Sequence, residues 1–125
     1  MNDNDIRAAL TRFWTDATNQ ATVDEIYHQD AILEFPQSGE RMVGLDNIRG
    51  MRAVYPADVT LTLRRISGDG AYWVGEHTVS YNGGSPMFGA CMVEVREGRI
   101  VHEVIYFGEP FAAPEWRKQW VEPIP

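Results

Sequence analysis

The stretch IVHEVIYFGEPF, Ile100 to Phe111, has the composition of a strand that is at least half buried. Seven of its twelve residues are apolar, and β-branched and aromatic side chains dominate. His102 and Glu103 nevertheless stand side by side in its middle. Because neighbouring residues on a strand point to opposite faces, one of the two must face the interior.

Three further strand patterns precede this stretch, and each is followed by a turn containing glycine. Strands joined by such short turns form antiparallel hairpins. The second half of the chain is therefore predicted to be an antiparallel meander. Its predicted strands are Val59–Ile66, Tyr72–Tyr81, Met87–Arg96 and Ile100–Phe107.

The first half of the chain is mainly helical in pattern, with apolar residues recurring at intervals of three and four. A short C-terminal helix is predicted over Pro114–Trp120, because proline favours a first helical position. The other predicted elements are a helix over about residues 4–18 capped by Asp3 or Asn4, a short helix capped by Thr22 and ending near His28, a strand Ala31–Phe35, a turn at 37–40 and a helix from about Leu45 to Pro56.

Helices first and a long meander second indicate a single α+β domain spanning residues 1–125. We expect three N-terminal helices to pack into the concave face of a curved, mainly antiparallel sheet. Three helices cannot cover such a sheet completely, so one mouth is expected to remain as a pocket.

Composition and charge limit the possible partners. The net charge is −7 with no basic stripe, so nucleic acid and anionic membranes are not expected partners. No leader-like or membrane-spanning stretch is present in the pattern, which favours a cytoplasmic protein. Cys91 is the only cysteine, and the three histidines are scattered, so we expect no metal. Nucleotide-binding motifs are absent, and we expect no cofactor.

Three motifs in fixed order carry a resemblance to a known family: DAILEFP at 30–36, GERMVGLDNIRGMR at 39–52 and IVHEVIYFGEPF at 100–111. With the trailing Pro114–Arg117 they make the chain resemble the SnoaL-like polyketide cyclases of the NTF2-like superfamily. The resemblance covers nearly the whole chain. It implies a conical α+β barrel with a deep apolar pocket and a homodimer formed through the convex face of the sheet. It does not imply one reaction, because relatives include isomerases, cyclases, dehydratases, epoxide hydrolases and non-catalytic binders.

The resemblance also implies that the known acid–base groups of the relatives are replaced. Steroid isomerases place an aspartate, a tyrosine and a donor acid at positions that here are Phe35, Trp14 and a position near Cys91. Epoxide hydrolases place an aspartate where this chain has Ile105. Their arginine and a second aspartate fall near His77 and Val79, so of these positions only the first keeps an ionisable side chain.

The family register predicts that Glu103 faces inward and His102 outward. A plain two-residue turn at Glu97-Gly98 would instead pair Val93 with His102 and turn the histidine inward, whereas a bulge at Gly98 would restore the family register. We predict that Glu103 faces inward, and an inward His102 remains the alternative.

We therefore predict that His77 and Glu103 are the catalytic residues of a cofactor-independent acid–base enzyme acting on a small hydrophobic molecule. Burial raises the pKa of a glutamate towards the useful range, and a histidine of near-neutral pKa would be its natural partner. Both could instead be structural. The rival function is a module that binds or carries the same ligand without chemistry, and a third is a protein-interaction scaffold. The predicted pocket residues are Trp14, Tyr27, Phe35, Met51, Tyr55, Trp73, Met87, Cys91, Ile105 and Phe107.

Overall fold

A computed structural model describes all residues from Met1 to Pro125. The predicted α+β class is confirmed: the three helices lie in the first half of the chain, the sheet has six strands, and a short 3-10 helix follows the last strand. The elements are α1 (Asp3–Thr15), α2 (Gln20–Ile26), β1 (Tyr27–Phe35), β2 (Glu40–Val43), α3 (Leu45–Ala53), β3 (Val59–Asp69), β4 (Tyr72–Tyr81), β5 (Met87–Arg96), β6 (Arg99–Gly108) and the 3-10 helix (Glu115–Trp120).

The curved sheet has the order β2-β1-β6-β5-β4-β3 and stays open between its edge strands β2 and β3. Only β1 and β6 run parallel, so the sheet is mainly antiparallel as predicted. The three helices pack against one face, and the core between the layers joins side chains of all three helices to the inner faces of β1, β4, β5 and β6. None of the helices has the length and apolarity needed to span a bilayer.

Caps place the ends of the first two helices differently from the prediction. Asn2 forms a reciprocal capping box with Asp5, and Asn19 caps α2 through the backbone N–H of Ala21. These asparagines replace the predicted caps Asp3 or Asn4 and Thr22, because an asparagine one residue before the first helical turn satisfies its free N–H groups.

Two further elements depart from the prediction. Residues Glu40–Val43, partly assigned to a turn, form the edge strand β2 paired with β1. Pro114 precedes the C-terminal helix rather than opening it, and that helix is of the 3-10 type. Its two tryptophans, Trp116 and Trp120, are exposed.

The connection between β5 and β6 fixes which residue of the His102-Glu103 pair faces the core. Glu97 and Gly98 both have positive φ, as a two-residue hairpin turn requires, and Arg96 pairs with Arg99. Register then shifts, because Val95 pairs with Ile100 while Glu94 pairs with His102. The bulge therefore lies at Val101 rather than at the predicted Gly98. The extra residue shifts the register of β6 by one, so that Glu103 and not His102 pairs with Val93 on the inner face.

Candidate functional site

Glu103 faces the interior, as predicted, and its side chain is 1% exposed. The bulge in β6 pairs it with Val93, on the face of the sheet covered by the helices. His102 faces outward, where its Nε2 lies 2.9 Å from the carboxylate of Glu34. The predicted orientation of the pair is confirmed.

A hydrogen-bonded chain of three side chains holds one oxygen of Glu103. The Tyr27 hydroxyl donates to Glu103 Oε1, and Nη2 of Arg52 donates to the same hydroxyl over 3.2 Å. Arg52 comes from the last turn of α3, and its guanidinium lies over the Phe13 ring, 5.3 Å from the centroid. Helix α3 thus supplies a cation to the interior.

Burial controls the electrostatics of this chain. It raises the pKa of the Glu103 carboxyl, and Arg52, the Tyr27 hydroxyl and the Trp14 indole N–H oppose the rise only in part. The Trp14 N–H faces the carboxyl without reaching hydrogen-bond geometry. Burial alone would lower the pKa of Arg52, but Tyr27 and Glu103 raise it overall, so the guanidinium stays charged. Glu103 has the raised pKa of a proton-transfer group.

His77 lies on the inner face of β4 and is 3% exposed. Its ring meets Trp14 edge to face, with centroids 5.3 Å apart. Burial lowers the pKa of His77 to about 4, with partial opposition from the backbone of Gly75. The near-neutral pKa predicted for this histidine is therefore wrong, since no carboxylate pairs with the ring to offset its desolvation. At neutral pH it is an uncharged hydrogen-bonding group.

A small chamber of about 50 Å³ brings the two predicted catalytic residues together. Cys91 also borders it, but burial raises the pKa of the thiol and keeps it protonated, which makes it a poor nucleophile. The chamber is lined by Phe13, Trp14, Ala17, Arg52, Leu61, His77, Cys91, Glu103, Ile105 and Phe107.

A larger cavity of about 370 Å³ adjoins the chamber, and five residues line both. Ten of its fifteen lining residues are hydrophobic. Tyr55 and Tyr81 stack in its wall with ring centroids 6.1 Å apart. Five predicted pocket residues line this cavity: Phe35, Met51, Tyr55, Ile105 and Phe107.

Three of the other predicted pocket residues need correction. Trp73 is fully buried away from both spaces, because its indole donates to the Gly70 carbonyl over 3.0 Å and Arg7 covers its ring. Met87 is half-buried at the start of β5 and lines neither space. Tyr27 takes part through its hydroxyl rather than as an apolar wall.

Sequence reasoning missed several residues of the site. Arg52 is the most important, and its place four residues after the buried Ile48 was the available signal that it faces inward. Gln37, assigned to a turn, donates to and accepts from the backbone of Phe107 and so fixes the end of β6 at the cavity rim. Other missed lining residues are Leu61, Val79 and Tyr81. No three metal-binding side chains converge anywhere in the structure.

Comparison with known proteins agrees with the fold. Residues 6–103 match the model of the SnoaL-like domain. Among curated proteins, none matches this chain. An NTF-2 like protein of unknown function from Burkholderia xenovorans is 40% identical, with a TM-score of 0.88 over 100% of this chain and 99% of its own.

Two other solved structures extend the comparison. A candidate ketosteroid isomerase from Kribbella flavida is 26% identical, with a TM-score of 0.85 over 100% of this chain and 94% of its own. An LEH-like epoxide hydrolase from M. tuberculosis, at 24% identity and a TM-score of 0.67 over 83% of each chain, shares the fold. The domain match covers most of the sequence, and the chain belongs to the SnoaL-like family within the NTF2-like fold.

Proposed function

We propose that this protein is a cofactor-independent acid–base enzyme that moves a proton on a small, mainly apolar molecule bound in the 370 Å³ cavity. One observation carries the proposal: Glu103 is a fully buried carboxyl that lines the small chamber adjoining this cavity, and its Oε2 has no hydrogen-bond partner. The large majority of buried polar side-chain atoms have a hydrogen-bond partner, so the unpartnered oxygen calls for an explanation. The free oxygen is therefore available to a ligand.

In the proposed reaction Glu103 takes a proton from one carbon of the bound molecule and returns it to another. Its raised pKa makes the carboxylate a stronger base than an exposed one. Tyr27 and Arg52 hold Oε1, which leaves Oε2 to move the proton. His77 contributes as a neutral hydrogen-bonding group rather than as a second base. The Kribbella flavida relative, a candidate ketosteroid isomerase, is consistent with a proton-transfer reaction.

The second candidate function is a binding or carrier module that uses the same cavity. The low pKa of His77 favours it, because a neutral histidine that resists protonation cannot return a proton as an acid at neutral pH. The ligand would then be held by the apolar walls alone. Glu103 would have a structural role, as the acceptor of the buried hydrogen bond from Tyr27.

Isomerisation of β,γ-cyclohexenone to its α,β isomer tests the proposal, since a proton leaves one carbon and returns to another. We expect turnover that falls by about 10²–10⁴-fold in Glu103→Gln, the usual contribution of a general base. The matched control is Glu34→Gln, a carboxylate on β1 that faces outward to His102. Equal turnover by the enzyme and Glu103→Gln would exclude the mechanism. Binding of the enone without turnover would establish the carrier.

We also propose a homodimer formed through the outward face of the sheet. Tyr72, Phe88 and Tyr106 share that face across β4, β5 and β6 and are 53%, 47% and 44% exposed. Exposed aromatic side chains grouped on one sheet face are typical of interfaces. Sedimentation velocity should show a dimer that Phe88→Lys converts to a monomer, while Val54→Lys, directly after α3, leaves it intact.

A further inference from the structure

The inner chamber concentrates the unsatisfied polar atoms of the molecule. Five buried side-chain nitrogen or oxygen atoms have no hydrogen-bond partner, and four belong to residues that line this one chamber. A buried polar group without a partner costs about 1–3 kcal/mol, so such atoms are rare and call for an explanation. The four are Trp14 Nε1, Arg52 Nε, His77 Nε2 and Glu103 Oε2.

These atoms present both donors and acceptors. The Trp14 indole and the Arg52 guanidinium can only donate. A carboxylate accepts, and a neutral imidazole offers one donor and one acceptor nitrogen. A ligand group that satisfies the chamber must therefore both accept and donate hydrogen bonds.

We infer that the chamber binds a hydroxyl group, and that the ligand is an apolar alcohol whose body occupies the adjoining cavity. The inference rests on the proposed function only in taking that cavity as the binding site. The hydroxyl oxygen accepts a hydrogen bond from the Trp14 N–H, and the hydroxyl donates one to Glu103 Oε2 or to His77 Nε2.

Other oxygen and nitrogen functions satisfy the chamber less well. A carbonyl accepts from Trp14 but has no proton to donate to Glu103 Oε2 or His77 Nε2. An ammonium group donates only, and it would lie beside the charged Arg52. A carboxylate would place a second acid next to Glu103 in a closed apolar space.

The size of the chamber agrees with one small polar group. At about 50 Å³ it is far smaller than the adjoining cavity of about 370 Å³, so the body of a ligand belongs in the cavity and a small group in the chamber. Phe13, Leu61, Ile105 and Phe107 form apolar walls around it.

A matched set of cyclohexyl compounds tests the inference in the unaltered protein. Affinities for cyclohexanol, cyclohexanone, methylcyclohexane and cyclohexanecarboxylate are measured by NMR titration, and the indole N–H signal of Trp14 is followed. We expect cyclohexanol to bind tightest, about tenfold or more above methylcyclohexane, and to shift the Trp14 signal. Equal affinity for the alcohol and the hydrocarbon, or tightest binding of the ketone or the acid, would overturn the inference.

Paired tryptophan substitutions locate the preference. Trp14→Phe should reduce the preference for cyclohexanol over methylcyclohexane to less than about threefold, because the donor is lost while the hydrocarbon keeps its apolar contacts. Trp73→Phe, an equally buried tryptophan whose N–H bonds Gly70, should keep the full preference. Loss of the preference in both variants would contradict a role for the chamber.

The outcomes separate this inference from the proposed function. A preference for the alcohol without enone turnover would support the hydroxyl site and overturn the enzyme. Enone turnover without a preference for the alcohol would support the enzyme and overturn the hydroxyl site. If none of the four compounds binds, the cavity is not a ligand site and both proposals fail.

Discussion

The hydroxyl of Tyr27 donates a hydrogen bond to Oε1 of Glu103, joining the first residue of β1 to the middle of β6. Arg52 donates to the same hydroxyl, so the tyrosine transmits the influence of the cation to the carboxyl. The two oxygens of Glu103 consequently differ, because Oε1 accepts from Tyr27 and Oε2 has no hydrogen-bond partner. This difference allows one carboxyl to be rigidly placed and still available to a ligand.

Tyr27→Phe removes this hydrogen bond while keeping the ring that packs edge to face on Phe13. We expect the free energy of unfolding to fall by about 1–3 kcal/mol, since Glu103 Oε1 is left buried without its donor. Urea denaturation measures the change. The matched control is Tyr106→Phe on the exposed outer face, which should stay within about 0.5 kcal/mol of the parent protein. A Tyr27→Phe variant as stable as that control would show the bond to be unimportant.

Glu103→Gln should change how stability depends on pH. The folded-state pKa of Glu103 is raised above its ordinary value near 4.5, so the folded protein binds this proton more tightly than the unfolded chain. Its contribution is full below the ordinary pKa and is lost as the pH rises through the raised one. Denaturation at a series of pH values should therefore show the parent protein losing stability relative to Glu103→Gln as the pH increases. A constant difference between the two would contradict the raised pKa.

His77 has the opposite dependence, because its pKa is lowered on folding from 6.5 to about 4. The unfolded chain binds the proton more tightly, so stability is full above 6.5 and is lost as the pH falls towards 4. The expected loss is on the order of 2 kcal/mol after a discount for solvent screening. His77→Gln should abolish this loss, whereas His28→Gln at the start of β1 should retain it. An unaltered acid-side slope in His77→Gln would exclude a buried neutral histidine.

The sequence was sufficient for the α+β class and the four-strand meander, because alternation and turn residues are local signals. It could not locate the bulge at Val101, since a bulge shifts register without a residue type of its own. Strand β2 was missed for a similar reason: Glu40–Val43 has one half-buried side chain and is exposed otherwise, so no alternation marks it.

The site was harder to predict than the fold because its polar groups meet through tertiary packing. The spacing of Arg52 from Ile48 indicates an inward position on α3, but only the packing of α3 against β1 brings its guanidinium to the Tyr27 hydroxyl. The pKa of His77 also depended on whether a carboxylate lay beside it, which the strand pattern could not tell. Trp73 and Trp14 were both predicted to be large pocket-lining aromatics. The structure shows that Trp14 borders the chamber, whereas Trp73 is buried in the core with its N–H bonded to Gly70.

Gly75→Ala tests whether the close packing of Trp14 on His77 shapes the chamber. A Cβ at Gly75 would lie 2.7 Å from Cε3 and Cζ3 of Trp14 and 2.8 Å from Cε1 of His77, so both rings must move. We expect a loss of about 1–3 kcal/mol in the free energy of unfolding, with a displaced Trp14 indole signal, because both buried rings must give up their present packing. Gly50→Ala on α3 is the control: a Cβ there meets nothing within 4 Å, and the better helix former should add up to about 1 kcal/mol. If Gly75→Ala matched that gain and left the indole signal in place, the rings would not be held by contact with this backbone position.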